Sequence, residues 1–146
     1  MGGMIDISDK NPVYREAKAF GRIILKAETI EKIRKNEIKK GNPLRVAEVA
    51  CLNAVKQTHL LIPMCHQLAL NSITVEFNLN EGDIEAVVAV NTIAKTGVEM
   101  EALVGVSTVL NNIWDMVKYL EKDENGQYPD TRIEEIKVLN KIKGKS

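Results

Sequence analysis

The sequence predicts an α+β fold, with helices packed on one face of an antiparallel sheet, and three observations lead there. Residues 72–79 and 84–93 alternate in hydrophobicity on either side of "NEGD", the pattern of an antiparallel hairpin. Residues 43–58 carry a broad apolar arc behind a helix-start signal. Residues 98–123 place Leu103, Val106, Leu110, Ile113, Val117 and Leu120 at three–four spacing, which turns one helix face to a core. A helix before a hairpin and a helix after it suits layers of helix on sheet.

In chain order, "MIDIS" (residues 4–8) alternates as a short strand would, and "EAKAFGRII" (16–24) alternates again. In the latter, Ala17, Ala19 and Ile23 share one face, and Glu16, Lys18 and Arg22 the other. Ile30, Ile33 and Ile38 then fall at helical spacing among charges, so a short surface helix is expected over 27–38. Asn42 can accept from the free N–H groups of the next helix, and Pro43 suits its first position, where no N–H is needed. The arc of that helix takes in Leu44, Val46, Ala47, Val49, Ala50, Cys51, Ala54 and Val55. It is wider than one sheet face requires, so burial on two sides is expected, by the core and by a second copy of the chain. After the long helix, "ENGQYPD" breaks the pattern and "RIEEIKVLNKI" (132–142) alternates weakly as a last strand. The total is about five strands and three helices in a single domain over residues 1–146, with no repeat and no low-complexity segment.

Charge and composition narrow the function classes. Twenty basic and twenty acidic residues cancel, and the isoelectric point is about 6.7. There is no global field to draw in nucleic acid or an anionic membrane, so an anionic ligand must meet a local basic cluster. No stretch approaches the length of a membrane span and "MGGMIDISDK" lacks the pattern of a signal peptide, so a soluble, cytoplasmic protein is expected. Two cysteines make no disulfide framework, and reduced thiols are expected. Cys51, His59, Cys65 and His66 are all the Cys and His present, and a structural zinc would need every one. Their spacing argues against it, and no metal site is expected.

Residues able to carry a reaction cluster at Arg15, at Lys40, at Lys56 with His59 and His66, and along the long helix with its lead-in, at Lys95, Glu99, Glu101, Asp115 and Lys118. Each also has an ordinary reading. Asp115 and Lys118 at i, i+3 resemble a surface ion pair contributing a few tenths of a kcal/mol. Glu99 and Glu101 sit where the helix dipole favours carboxylates. His66 in "LLIPMCHQLAL" suits a satisfied core histidine as well as a site. No phosphate-loop, dinucleotide, nucleophile-elbow or zinc-protease motif occurs.

Three blocks in fixed order tip the balance: "LIPMCHQL", then "KTGVEMEALVGVS", then "IWDMVK". With "YREAKA" and "KKGN" upstream they resemble the cyclic pyranopterin monophosphate synthases, the molybdenum cofactor biosynthesis protein C family, over nearly the whole chain. The resemblance implies a ferredoxin-like subunit that forms dimers and then a hexamer, a trimer of dimers, with sites at subunit interfaces. It implies conversion of (8S)-3',8-cyclo-7,8-dihydroguanosine 5'-triphosphate into cyclic pyranopterin monophosphate with release of pyrophosphate. No protein-held cofactor is expected, with a need for Mg²⁺ left open, and from the charge balance no nucleic-acid or membrane partner. Residue by residue, Lys40, Asp115 and Lys118 match the catalytic positions. Met64, Cys65 and His66, and Glu99, Met100 and Glu101, match substrate-binding positions, while Arg15 and Lys56 match basic positions suited to phosphate. Asn42 and Gln67 stand where family members often have Asp and Pro, which bears on loop shape. The alternative is a non-catalytic binding module of the same fold, in which these charges are structural.

Helix geometry adds a constraint. Glu101 and Asp115 are fourteen residues apart, close to one face, hence roughly 21 Å apart at about 1.5 Å per residue. They serve different ends of an extended nucleotide, or each completes a site with another subunit. If Lys40 and Lys118 enter one site from different chains, their inactive variants should rescue one another on mixing.

Overall fold

The computed structural model describes residues 2–145. The order is β1 (Val13–Ile24), α1 (Ala27–Arg34), α2 (Pro43–Lys56), α3 (Thr58–Leu61), β2 (Ser72–Leu79), β3 (Asp83–Ala94), α4 (Glu99–Glu121) and β4 (Arg132–Lys143). The strands form one antiparallel sheet in the order β2-β3-β1-β4, with β1 and β3 central. Helices α2 and α4 follow the first and third strands and lie on one side of it, the ferredoxin-like α+β arrangement.

Alternation in the central strands decides what α4 meets. Ala17, Ala19 and Ile23 of β1 and Ile84, Ala86, Val88 and Val90 of β3 are all buried on the helix side, together with Ala102, Val106, Val109, Leu110 and Ile113 of α4. Burying each large aliphatic side chain contributes about 1.5–3 kcal/mol, and the alanines let the helix approach closely. Gly105 marks the tightest approach: a Cβ there would lie 2.7 Å from Val55 Cγ2 and 2.9 Å from Val88 Cγ1. The long helix is thus packed closely against both α2 and the sheet.

Its C-terminal end is fastened by a buried carboxylate. Glu121 is 1% exposed. It accepts from Thr131 Oγ1 at 2.7 Å, from the Lys26 backbone N–H and from Thr29 Oγ1. A carboxylate is unfavourable at a helix C-terminus, and these donors offset that by tying the starts of α1 and β4 to the helix end.

Three elements differ from the sequence expectation. "MIDIS" pairs with no strand, so the sheet has four strands among the described residues; its alternation serves a segment laid over a cavity. The first helix stops at Arg34, not 38, because Asn36 adopts φ 59°. The Glu37 N–H then bonds to the Lys32 carbonyl at 2.9 Å and the Asn36 N–H to Ile33 at 3.2 Å, a Schellman closure. The helix from 43 breaks at Gln57, where the Thr58 hydroxyl bonds to the Val55 carbonyl at 2.9 Å, and residues 58–61 form a separate turn. The weak alternation of the last strand has a cause as well. Its register against β1 shifts twice, between Lys18 and Ala19 and between Phe20 and Arg22.

The apolar arc of α2 is divided. Ala47, Cys51 and Val55 are buried, while Val46, Val49 and Leu52 are 39%, 49% and 37% exposed along one stripe. Among the described residues, no helix is long and apolar enough to cross a membrane.

Candidate active site

Most of the residues singled out from sequence collect at two places along α4, at its start and toward its end. At its N-terminal end lies a cavity of about 330 Å³, lined by Met64, Cys65 and His66 from one loop and by Glu99, Met100 and Glu101 from the first helical turn. The loop is shaped locally: α3 ends at Leu61, Ile62 is extended, Pro63 cannot continue the helix, and the Cys65 N–H bonds to the Ile62 carbonyl at 3.0 Å. His66 is thereby turned toward the N-terminal segment. Its Nε2 lies 2.8 Å from the Ile5 carbonyl oxygen, so that nitrogen carries the proton and donates.

The two carboxylates differ. Glu101 is 4% exposed. Burial raises its pKa above the ordinary carboxylate value, the Glu99 charge adds to this, and a hydrogen bond from its own backbone N–H opposes it. Glu99 places Oε1 3.8 Å from Lys141 Nζ, and its Oε2 is buried with no hydrogen-bond partner among the described residues. That oxygen is an acceptor awaiting a donor. Gly97 makes room for it, since a side chain there would collide with the carboxylate. Gly97→Ala is therefore expected to displace Glu99 and lower turnover while leaving thermal stability nearly unchanged, as paired assays and melting curves would show. Burial, then the Glu101 and Glu99 charges, push the Cys65 thiol up, so it stays protonated at neutral pH and is a poor nucleophile.

Glu101 also gives a pH prediction. Its folded pKa lies above its unfolded value, so its ionisation opposes folding as pH rises through the folded value, and any favourable contribution is confined to lower pH. Glu101→Gln should raise the melting temperature more at pH 8 than at pH 5, at the cost of activity. An equal shift at both pH values would contradict the assignment.

Toward the other end of α4, three charges converge. Asp115 Oδ1 lies 2.9 Å from Lys118 Nζ and its Oδ2 3.1 Å from Lys40 Nζ, which also donates to the Asp115 carbonyl at 3.2 Å. The Lys40 loop is delivered there by the Tyr119 hydroxyl, which accepts from the Lys39 N–H at 2.9 Å. Gly41, at φ 121°, turns the chain into α2, where Asn42 accepts from the Leu44 and Arg45 N–H groups. Hydrogen bonds and the charges of Lys118 and Lys40 hold the Asp115 carboxyl below its usual range. The Asp115 hydrogen bond and charge raise Lys118, with a smaller part from Tyr128. At rest, therefore, Lys118 is an ammonium able to give a proton. Trp114 and Tyr128, their ring centroids 5.1 Å apart and edge to face, wall the adjoining groove.

Lys40 and Lys118 thus meet within one chain, on one carboxylate, and do not need different subunits to come together. The other two basic candidates stand apart. Arg15 is 8% exposed beneath the sheet end, donating to the Lys95 carbonyl at 3.3 Å, and does not line the cavity. Lys56 is exposed at the end of α2, beside a separate groove lined by Leu52, Leu68 and Ser72. Sequence reasoning missed Lys10, Lys141 and Tyr128, which fold topology brings to the two clusters from distant segments; no local pattern marks them. Cys51 is in the core with its thiol pushed up to about 12 by burial, and no group of three or more potential metal ligands is found among the described residues.

Comparison with known proteins gives consistent matches. The model of the MoaC family matches residues 4–144. A probable cyclic pyranopterin monophosphate synthase of Methanosarcina mazei is 55% identical over 143 residues, covering 98% of this chain and 91% of that protein. Proteins with the same description from Thermococcus kodakarensis and Pyrococcus furiosus are 52% and 53% identical. Those alignments cover 97% and 96% of this chain and 90% of each relative.

Proposed function

We infer that this chain, which belongs to the MoaC family, works as a cyclic pyranopterin monophosphate synthase, a lyase of molybdenum cofactor biosynthesis. The substrate is a nucleotide-derived triphosphate, the cyclised dihydroguanosine triphosphate, and the products are cyclic pyranopterin monophosphate and pyrophosphate. The observation that best supports acid–base chemistry at this site is the convergence of Lys40 and Lys118 on Asp115.

Rearranging the purine ring moves protons at several atoms, and closing a cyclic phosphate expels pyrophosphate with its negative charge. Lys118, held protonated by Asp115, delivers a proton; once that proton has left, the same amine accepts one. Lys40 contributes a second cation that stabilises charge on the leaving pyrophosphate. At the other cluster, Glu99 Oε2 takes an N–H of the guanine-derived ring, and His66 Nε2 donates to a substrate oxygen in place of the Ile5 carbonyl. Glu101 and Met100 shape the cavity wall beside them.

About 21 Å of helix separates the clusters, so one compact reacting centre draws them from two copies of the chain. The exposed stripe Val46, Val49 and Leu52 supplies an apolar face for such an association, and a hexamer built as a trimer of dimers accommodates it. Light scattering at micromolar concentration should find an oligomer; a stable monomer would oppose this arrangement. No resident metal enters the scheme. Purified protein should carry no stoichiometric zinc, and chelation should leave its melting temperature unchanged. The test of the function is direct: the protein supplied with the cyclised nucleotide should release pyrophosphate and form the pterin, and a binding module would do neither.

A further inference from the structure

Lys40 carries its charge to Asp115 from a loop with few fixed points. Residues 35–41 lie between α1 and α2, and all but Ile38 are exposed. Ile38 is buried in the core, and the Gly41 N–H bonds to its carbonyl at 3.1 Å, closing a turn around Lys39 and Lys40. That bond lies within the loop and does not set where the turn sits along α4. Lysine is a compact charge on a flexible stem, so the place of its ammonium depends on how firmly the backbone beneath it is held.

Tyr119 supplies that hold. It follows Lys118 and lies four residues after Asp115, so the helical turn that presents both charges also carries the phenol. Its ring is half-buried against the core, and its hydroxyl accepts from the Lys39 N–H at 2.9 Å. Among the described residues, this is the one hydrogen bond from the backbone of residues 35–41 to α4. The Lys39 ammonium also lies 5.3 Å from the ring centroid, but that side chain is exposed and its contact with the ring is weak. The next residue is Lys40, whose Nζ donates to Asp115 Oδ2 at 3.1 Å and to the Asp115 carbonyl at 3.2 Å.

We propose that Tyr119 is a positioning residue for Lys40: its hydroxyl fixes the loop of residues 35–41 on α4 and thereby sets the Lys40 ammonium on Asp115. The proposal rests on the reading of Lys40 given above. Tyr119 acts through the Lys39 N–H and takes no part in proton transfer.

Tyr119→Phe keeps the ring and removes the acceptor. With the cyclised nucleotide it should lower kcat about three- to tenfold and leave KM within about twofold. Lys39→Ala keeps the backbone N–H and should stay within about twofold of the parent in both. A second readout needs no turnover: the Asp115 carboxyl faces Lys118 and Lys40, and carbon NMR titration of its side chain senses both. Loss of a neighbouring cation raises a carboxyl pKa. Tyr119→Phe should therefore move the Asp115 titration to higher pH, toward that of Lys40→Ala, and add nothing when combined with Lys40→Ala. An unchanged Asp115 titration in Tyr119→Phe would overturn the proposal, as would a further shift in the double variant. So would an unchanged kcat in an active enzyme, or a loss in Lys39→Ala equal to that in Tyr119→Phe. A parent protein without turnover would refute the enzymatic reading alone, because the Asp115 titration still reports on Tyr119. An active enzyme whose rate and titration are both indifferent to Tyr119→Phe would refute this proposal alone.

Discussion

Lys118→Ala is expected to reduce turnover by about 10²–10⁴-fold, the range that a positioned proton donor contributes, with the fold intact. The side chain is 42% exposed and its structural partner is Asp115, so stability should change by no more than about 0.5 kcal/mol. Asp115→Asn should also lower activity, because it releases both lysines from one anchor. Its signature differs: Lys118 loses the partner that raises its pKa, so the limb of the pH–rate profile that reports Lys118 should move to lower pH. Lys40→Ala should follow Lys118→Ala. A surface ion pair without catalytic work would leave all three variants near wild-type rates in a pyrophosphate-release assay.

The largest stability effect is expected far from any substrate, at Glu121. Glu121→Ala strands the Thr29 and Thr131 hydroxyls and the Lys26 N–H in a buried site, and each unsatisfied group costs about 1–3 kcal/mol. Three such groups together cost at least about 3 kcal/mol, enough to lower the melting temperature by roughly 10 °C or more in a domain of this size. Glu121→Gln should recover part of this, since one amide oxygen still accepts while the NH₂ faces donors. Thermal denaturation of the two variants beside the parent protein checks the order. A loss under 1 kcal/mol for Glu121→Ala would show that the carboxylate is dispensable.

Glu121 also shows why sequence reading stops where it does. Nothing local distinguishes it from the solvated glutamates around it; its burial depends on α1 and β4 arriving from residues 26–29 and 131. The hairpin of β2 and β3, the start of α2 at Asn42 and the inward face of α4 were legible because periodicity and capping are local. "MIDIS" misled because alternation reports one apolar face without saying whether a strand or a cavity lies beneath it. The same divide runs through the site. His66, Glu99, Glu101, Asp115 and Lys118 stand in recognisable blocks. That Lys40 joins Asp115 across 75 residues, and that Lys10 reaches the cavity while Arg15 does not, is set by topology.

Under the proposed function, opposite ends of α4 from two copies of the chain make one active site. His66→Ala removes a residue of the first cluster and Lys118→Ala a residue of the second, so each should be inactive alone. Mixing them under conditions of subunit exchange should restore up to roughly a quarter of wild-type turnover, the fraction of sites that random pairing leaves intact. Lys40→Ala mixed with Lys118→Ala should restore nothing, because those two lysines serve the same site from one chain. Absence of recovery in the first mixture, with exchange verified by mass spectrometry, would contradict the shared site.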